Sequence, residues 1–211
     1  MRFAAETGTV MRREIMRQVY LDNSATTAVL PEVAAEMQKV LLDAYGNPSS
    51  LHTMGVEAER IKNAARRILA EACGGREEEL IFTSGGTEAN NLAVKGVARR
   101  LKRRGRHLIT TQVEHPSVLY ACRALEEEGF SVTYLPVDGT GRVRLDALEE
   151  ALQEDTLLVS VMHVNNETGT VMPVAEIGRL VKEKAPEALF HVDAVQSFGK
   201  LPVSAGDWQA D

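Results

Sequence analysis

Cysteine, tryptophan and long apolar runs are scarce in this chain. Its 211 residues include two cysteines, Cys73 and Cys122, and a single tryptophan. Two cysteines exclude a disulfide framework and a four-cysteine zinc site, and we predict no metal site. No run approaches the roughly 20 apolar residues that a membrane span needs, so no membrane association is predicted.

Residues 1–18 lack the apolar core of a secretory signal peptide. Their arginines could mimic a transit peptide, but Glu6 and Glu14 weaken that interpretation. We interpret this stretch as an N-terminal extension that is either disordered or encoded upstream of the natural start codon. The expected location is therefore the cytoplasm.

The charge balance is mildly acidic, with 24 Lys and Arg against 30 Asp and Glu and a net charge of -6. This balance argues against non-specific nucleic-acid binding. One basic run, residues 99–106, is interpreted as the solvated C-terminal end of a helix rather than as a nucleic-acid patch. Hydrophobic residues make up 44% of the chain, which is enough for a sizeable core.

Apolar spacing alternates between helical and strand-like periods along the chain. Helices are predicted over residues 31–45, 55–73, 116–128, 145–152 and 174–184, with another that begins near Thr87. Strands are predicted over residues 80–83, 107–111, 130–135, 157–162 and 188–192. In the helix that follows Thr87, Leu92 and Val97 are expected to face the core. The alternation predicts an α/β fold with a mainly parallel sheet flanked by helices.

The residues that follow the predicted strands are candidates for a site, because parallel sheets bind ligands beyond the carboxyl ends of their strands. After the first strand, Gly86 would let the backbone approach a ligand, and Thr87 would begin a helix whose free N–H groups suit a phosphate. Taken alone, this motif is equally consistent with a capped turn. It matches neither a Walker A loop nor the G-x-G-x-x-G pattern.

Polar residues also follow the later strands. His115 could stack on a flat ring or move a proton, although a lone histidine is more often structural. Asn166 and its neighbour Asn165 could cap a turn or bond an aromatic hydroxyl. Asp193 is costly to bury without a partner such as a protonated ring nitrogen, and Gln196 could reach a neighbouring oxygen. Together these residues fit pyridoxal 5'-phosphate (PLP), a flat, phosphorylated, nitrogen-containing heterocycle.

Six motifs follow one another along the sequence: YLDNSATT (20–27), GNPSSLH (46–52), TSGGTEANN (83–91), EHPSV (114–118), HVNNETG (163–169) and HVDAVQS (191–197). In this order they resemble the N-terminal part of a cysteine desulfurase of the NifS/IscS type. That family belongs to the class V aminotransferases, which are PLP enzymes of fold-type I. The resemblance covers roughly residues 19–211.

The resemblance implies a fold-type I large domain that is incomplete at its C-terminus. Residues 19–50 would belong to the small domain or an interface, and residues 51–211 would form part of the PLP-binding large domain. Gly86 and Thr87 would hold the phosphate, and His115 would stack on the ring and transfer protons.

The same resemblance assigns the ring's polar atoms. Asn166 and Gln196 would face the phenolic oxygen, and Asp193 would pair with the ring nitrogen and keep it protonated. The implied reaction converts L-cysteine to L-alanine and passes the sulfur, as a persulfide on a mobile cysteine, to an iron–sulfur scaffold or another acceptor. A homodimer is implied as well.

Two functional groups of the family have no counterpart in this sequence. The lysine that attaches PLP lies in a Ser-Gly/Ala-His-Lys motif soon after the position of Asp211, and the sulfur-accepting cysteine lies further on. None of the seven lysines stands in a matching context: Lys39, Lys62, Lys95, Lys102, Lys182, Lys184 and Lys200. We therefore expect a truncated chain that is inactive alone, with strand 80–83 left without its neighbour.

Two alternatives stay open at this point. One is another class V enzyme, such as a selenocysteine or cysteine-sulfinate lyase or an aminotransferase. The other is a non-catalytic chain or a split-gene partner that binds a second polypeptide.

Overall fold

The computed structural model describes residues 19–211, so the interpretation of residues 1–18 lies outside it. Within the described part the helices are α1 Pro31–Asp43, α2 Thr53–Ala72, α3 Gly86–Leu101, α4 Pro116–Glu127, α5 Leu145–Ala151, α6 Val174–Lys184 and α7 Ala205–Trp208. The strands are β1 His107–Thr111, β2 Ser131–Leu135, β3 Thr156–Met162 and β4 Leu189–Asp193. A 3-10 turn at Glu77–Glu79 and the short α7 were not predicted. None of these helices is both long and apolar enough to cross a membrane.

The four strands form one parallel sheet in the order β2-β1-β3-β4. From β1 the chain proceeds to β2 on one side and then returns to β3 on the other side. The strand order therefore reverses between β1 and β3, which opens a crevice at the carboxyl ends of these strands. The predicted α/β fold with a parallel sheet is confirmed.

Apolar side chains cover both faces of the sheet. On one face Phe190 and Val159 pack with residues of α5, α6 and α7, and on the other Leu108 and Leu158 pack with residues of α3 and α4. Every residue of β1 and β3 is buried as a result. This packing on both faces of the sheet fixes the positions of the loops that leave the carboxyl ends of its strands.

The strand predicted at residues 80–83 is not formed. These residues pair with no strand among residues 19–211, and Ile81 and Phe82 remain 69% and 49% exposed. Arg66 makes the local contacts, donating a hydrogen bond to the Leu80 carbonyl and lying 5.1 Å from the centre of the Phe82 ring. Apolar, β-prone residues favour a strand, but a strand also needs a neighbour that supplies its ladder of hydrogen bonds.

The buried face of α3 also differs from the prediction. Leu92, expected in the core, is 52% exposed, and the buried residues are Asn90, Val94 and Ala98. Their spacing of four residues turns a polar side chain toward the inside of the fold. The apolar side of α1 likewise has no buried residue.

Candidate active site

A cavity of about 380 Å³ lies at the carboxyl ends of the strands. All six residues singled out from the sequence line it: Gly86, Thr87, His115, Asn166, Asp193 and Gln196. Sequence reasoning missed five others that line it too: Ser24, Ala25, Asn90, Ser117 and Val195. All five lie inside the quoted motifs, so the motifs were the signal that could have identified them.

The N-terminus of α3 forms one wall of the cavity. The Glu88 side chain accepts hydrogen bonds from the backbone N–H and the hydroxyl of Ser84, at 2.7 and 2.6 Å, and these bonds lower the pKa of Glu88. Ser84, which precedes α3, therefore holds the Glu88 carboxylate at the start of that helix. Gly86 lets the helix approach the loop after β4, because a Cβ there would lie 2.8 Å from Val195 Cγ2. The first N–H groups of this helix suit an anionic group.

Asp193, the last residue of β4, also lines the cavity and is only 8% exposed. Its Oδ1 accepts from the Val195 N–H at 3.0 Å, and its Oδ2 accepts from Asn90 Nδ2 at 2.8 Å. No cationic side chain of residues 19–211 forms an ion pair with it. A buried carboxylate without a counter-charge, at the wall of a cavity, suits a cationic ligand group.

His115 stands between β1 and α4 and caps the helix with its own ring. Its Nδ1 accepts from the Ser117 backbone N–H at 3.2 Å and lies 2.8 Å from Ser117 Oγ. Pro116 occupies the first helical position, where its missing N–H costs nothing. The cap and the proline fix the position of the imidazole at the cavity.

The two asparagines after β3 have different tasks. Asn165 Oδ1 accepts from the backbone N–H groups of Glu167 and Thr168, each at 2.9 Å, and its Nδ2 donates to the Val113 carbonyl at 2.9 Å. Asn165 therefore holds the turn, and only Asn166 lines the cavity. The capping interpretation therefore applies to Asn165, and the contact of Asn166 with an aromatic hydroxyl stays a prediction.

Gln196 connects the N-terminal segment to the site. Its Nε2 donates to the carbonyl of Ser24 at 3.1 Å, and Ser24 and Ala25 themselves line the cavity. The loop that precedes α1 therefore closes one side of the cavity.

Glu114 is a buried acid beneath the site that sequence reasoning missed. Its Oε1 accepts from Thr111 Oγ1 at 2.7 Å and from the Met162 N–H at 3.0 Å, while its buried Oε2 has no partner among the described residues. Burial, opposed in part by those two bonds, raises the pKa of Glu114 to about 8. The side chain ties β1 to β3 at the point where the strand order reverses.

Neither cysteine belongs to this cavity. Cys73 lines a separate, apolar cavity of about 360 Å³ together with Trp208. Cys122 is buried in α4, and burial raises the pKa of its thiol to about 12. Among residues 19–211 no lysine lines the 380 Å³ cavity either.

Comparison with known proteins identifies the class. The family model of the class V aminotransferases (Aminotransferase class-V) matches residues 19–211, so the chain belongs to that family. Cysteine desulfurase IscS of Dictyoglomus turgidum is 48% identical over 195 residues, which are 92% of this chain and 49% of that protein. The human protein named cysteine desulfurase is 49% identical over 198 residues, 93% of this chain and 43% of its own length.

Solved structures give the same result. A NifS-like protein superposes with a TM-score of 0.90 at 45% identity, covering 92% of this chain and 54% of that one. SspA in complex with cysteine superposes with a TM-score of 0.86 at 40% identity, covering 91% and 55%. The predicted family and fold are confirmed, and the chain spans about half the length of the curated relatives it matches.

Proposed function

We propose that this chain forms the cofactor-binding part of a PLP-dependent cysteine desulfurase, which takes the sulfur from L-cysteine and releases L-alanine. The observation that carries the proposal is the buried Asp193 carboxylate, which has no cationic partner among residues 19–211 and lines a cavity shared with His115 and the N-terminus of α3. Relatives 48 and 49% identical to the chain carry the name cysteine desulfurase, which selects this reaction within the class V family.

The donor set of the cavity fits PLP. Gly86 and Thr87 stand at a helix N-terminus, where free N–H groups favour a phosphate. Asp193, held by two hydrogen bonds, provides the negative charge that a protonated ring nitrogen requires. The amides of Asn166 and Gln196 are the donors available for the phenolic oxygen.

Bound PLP would supply an electron sink for charge that develops on the substrate. The chain's own residues would bind and orient it. Asp193 would hold a proton at the ring nitrogen, and His115 would cover the ring and hold or move a proton at its imidazole. Ser24 and Ala25 would exclude water from the side that their loop covers.

The remaining parts of the proposal rest on the resemblance. They are the lysine that attaches PLP, the cysteine that accepts sulfur, the homodimer, the iron–sulfur scaffold partner and the cytoplasmic location. The division into residues 19–50, as part of the small domain or an interface, and residues 51–211, as part of the large domain, is proposed on the same ground.

PLP binding is the first test. Titration of the 211-residue chain with PLP should induce visible circular dichroism, because an asymmetric site orients the ring. Asp193→Ala should weaken or abolish that signal, whereas Asp207→Ala, which removes an exposed acid outside the cavity, should not. Equal signals in both variants would contradict the proposed site.

Substrate choice is the second test. The full protein, loaded with PLP, should release alanine from L-cysteine. Preference for L-selenocysteine or cysteine sulfinate, or amino transfer to a keto acid, would replace the desulfurase assignment by one of the other class V activities.

A further inference from the structure

A buried network of hydrogen bonds connects His115 with Asp193. Asn90 stands at its centre, 4% exposed, on the inner side of α3. Its Nδ2 donates to Asp193 Oδ2 at 2.8 Å and to Ser117 Oγ at 2.9 Å. Because a carboxylate only accepts, the amide nitrogen of Asn90 has to face Asp193, and both of its hydrogens are then used.

The direction of these bonds determines the state of Ser117. Its oxygen accepts a hydrogen from Asn90, so its own hydrogen is free to donate, and its partner is His115 Nδ1 at 2.8 Å. The Ser117 backbone N–H donates to the same ring nitrogen at 3.2 Å. Two donors therefore point at Nδ1, and a neutral ring that accepts at Nδ1 carries its proton on Nε2.

We propose that Asn90 is a positioning residue that fixes neutral His115 as the Nε2–H tautomer and makes that tautomer depend on Asp193. The role of His115 in proton transfer rests on the proposed function, whereas the tautomer does not. With Nδ1 engaged by Ser117, only Nε2 is left to exchange a proton in the cavity. If the His115 ring served only to cap α4, its Nδ1 would need the hydrogen bond from the Ser117 backbone N–H and would not need Asn90.

The network predicts a specific response to a change at Asp193. In Asp193→Asn the new amide can donate to Asn90, which lets the Asn90 side chain turn its oxygen toward Ser117. The Ser117 hydroxyl then donates to Asn90 and no longer to His115. The Nε2–H preference should weaken, although Asp193 does not touch the imidazole in this network.

Nuclear magnetic resonance of the chain labelled with ¹⁵N-histidine tests the proposal without PLP. The spectra distinguish Nδ1–H from Nε2–H, and His115→Gln identifies the signal among the five histidines. We expect Nε2–H in the unmodified chain. Asn90→Leu, Ser117→Ala and Asp193→Asn should each lower the ratio of Nε2–H to Nδ1–H by roughly 2- to 10-fold, the equivalent of one hydrogen bond.

The matched control is Asn91→Leu, the same substitution on the next residue of α3, whose amide donates to the carbonyl of Thr87 and to no other group of the described residues. It should leave the ratio unchanged. If Asn90→Leu does not fold, Ser117→Ala still tests the network, because it removes the hydroxyl that donates to His115 Nδ1. A predominant Nδ1–H form in the unmodified chain, or a ratio unaffected by the three variants, would overturn the proposal. Loss of desulfurase activity alone bears on the proposed function and leaves the tautomer result standing.

Discussion

Replacing Glu114 by glutamine should remove a pH dependence from the stability of the fold. The pKa of Glu114 is raised from 4.5 to about 8 by burial. Below pH 4.5 the carboxyl is protonated in both the folded and the unfolded state. Between pH 4.5 and about 8 only the unfolded state releases the proton, so the free energy of unfolding falls by about 1.4 kcal/mol per pH unit. Above pH 8 both states are ionised and the decline ends.

Glutamine keeps the acceptor for Thr111 and Met162 but cannot titrate. Urea unfolding at several values between pH 5 and pH 8 should therefore show the stability of Glu114→Gln rising relative to that of the unmodified chain. The rise is expected at about 1.4 kcal/mol per pH unit, because other titrating groups cancel in the difference. Glu127→Gln, an exposed acid on α4, is the control and should give a flat difference. Parallel curves for Glu114→Gln would refute the assignment of a protonated Glu114 in the folded state.

Three further changes test other parts of the structure. In the PLP-loaded protein, Asp193→Asn should keep PLP bound but slow turnover with L-cysteine by on the order of 100-fold or more, because the loss of one preorganised electrostatic partner slows catalysis by about that factor. Unchanged turnover in a steady-state assay would contradict the proposed role of Asp193. Gly178→Ala should destabilise the fold by about 1–3 kcal/mol in thermal unfolding, because its Cβ would lie 1.8 Å from the Trp208 carbonyl oxygen. Gly96→Ala, which has open space around its Cβ, should stabilise the fold slightly, and equal effects of the two substitutions would show that the clash is absent. Ile81→Lys should reduce self-association measured by light scattering, because it places a charge in an exposed apolar segment that has no strand partner among the described residues. Undiminished self-association would show that another surface causes it.

Local patterns predicted the elements whose signals are local. Strand β1 and helix α6 occupy the predicted residues, 107–111 and 174–184, because period and turn residues mark their ends. Residues 80–83 carry the same strand-like composition but lack a partner among the described residues, and pairing depends on chain far away in sequence. Composition alone could not reveal that difference, whereas the family resemblance did predict the missing neighbour.

The site shows the same boundary between local and non-local information. Asp193 and His115 were predicted as site residues from their positions after predicted strands and from the motifs, and the structure places both at one cavity. Asn90 could not be found by hydrophobic pattern, since a polar residue on a helix normally faces water. Glu114 was missed because one of its partners, the Met162 N–H, lies 48 residues further along the chain.

The bond between Asn90 and Asp193 joins residues that are 103 positions apart, and the bond from Gln196 to Ser24 joins residues that are 172 apart. A ligand in this cavity would contact the segment before α1 and the loop after β4 at once, much as a cross-link does. It would bind the folded chain and not its separate parts, so at 100 times its dissociation constant it would add about 2.7 kcal/mol to the stability of the whole sheet. If that ligand is the proposed PLP, its supply would govern how long each newly made chain survives unfolding and proteolysis as well as the proposed reaction.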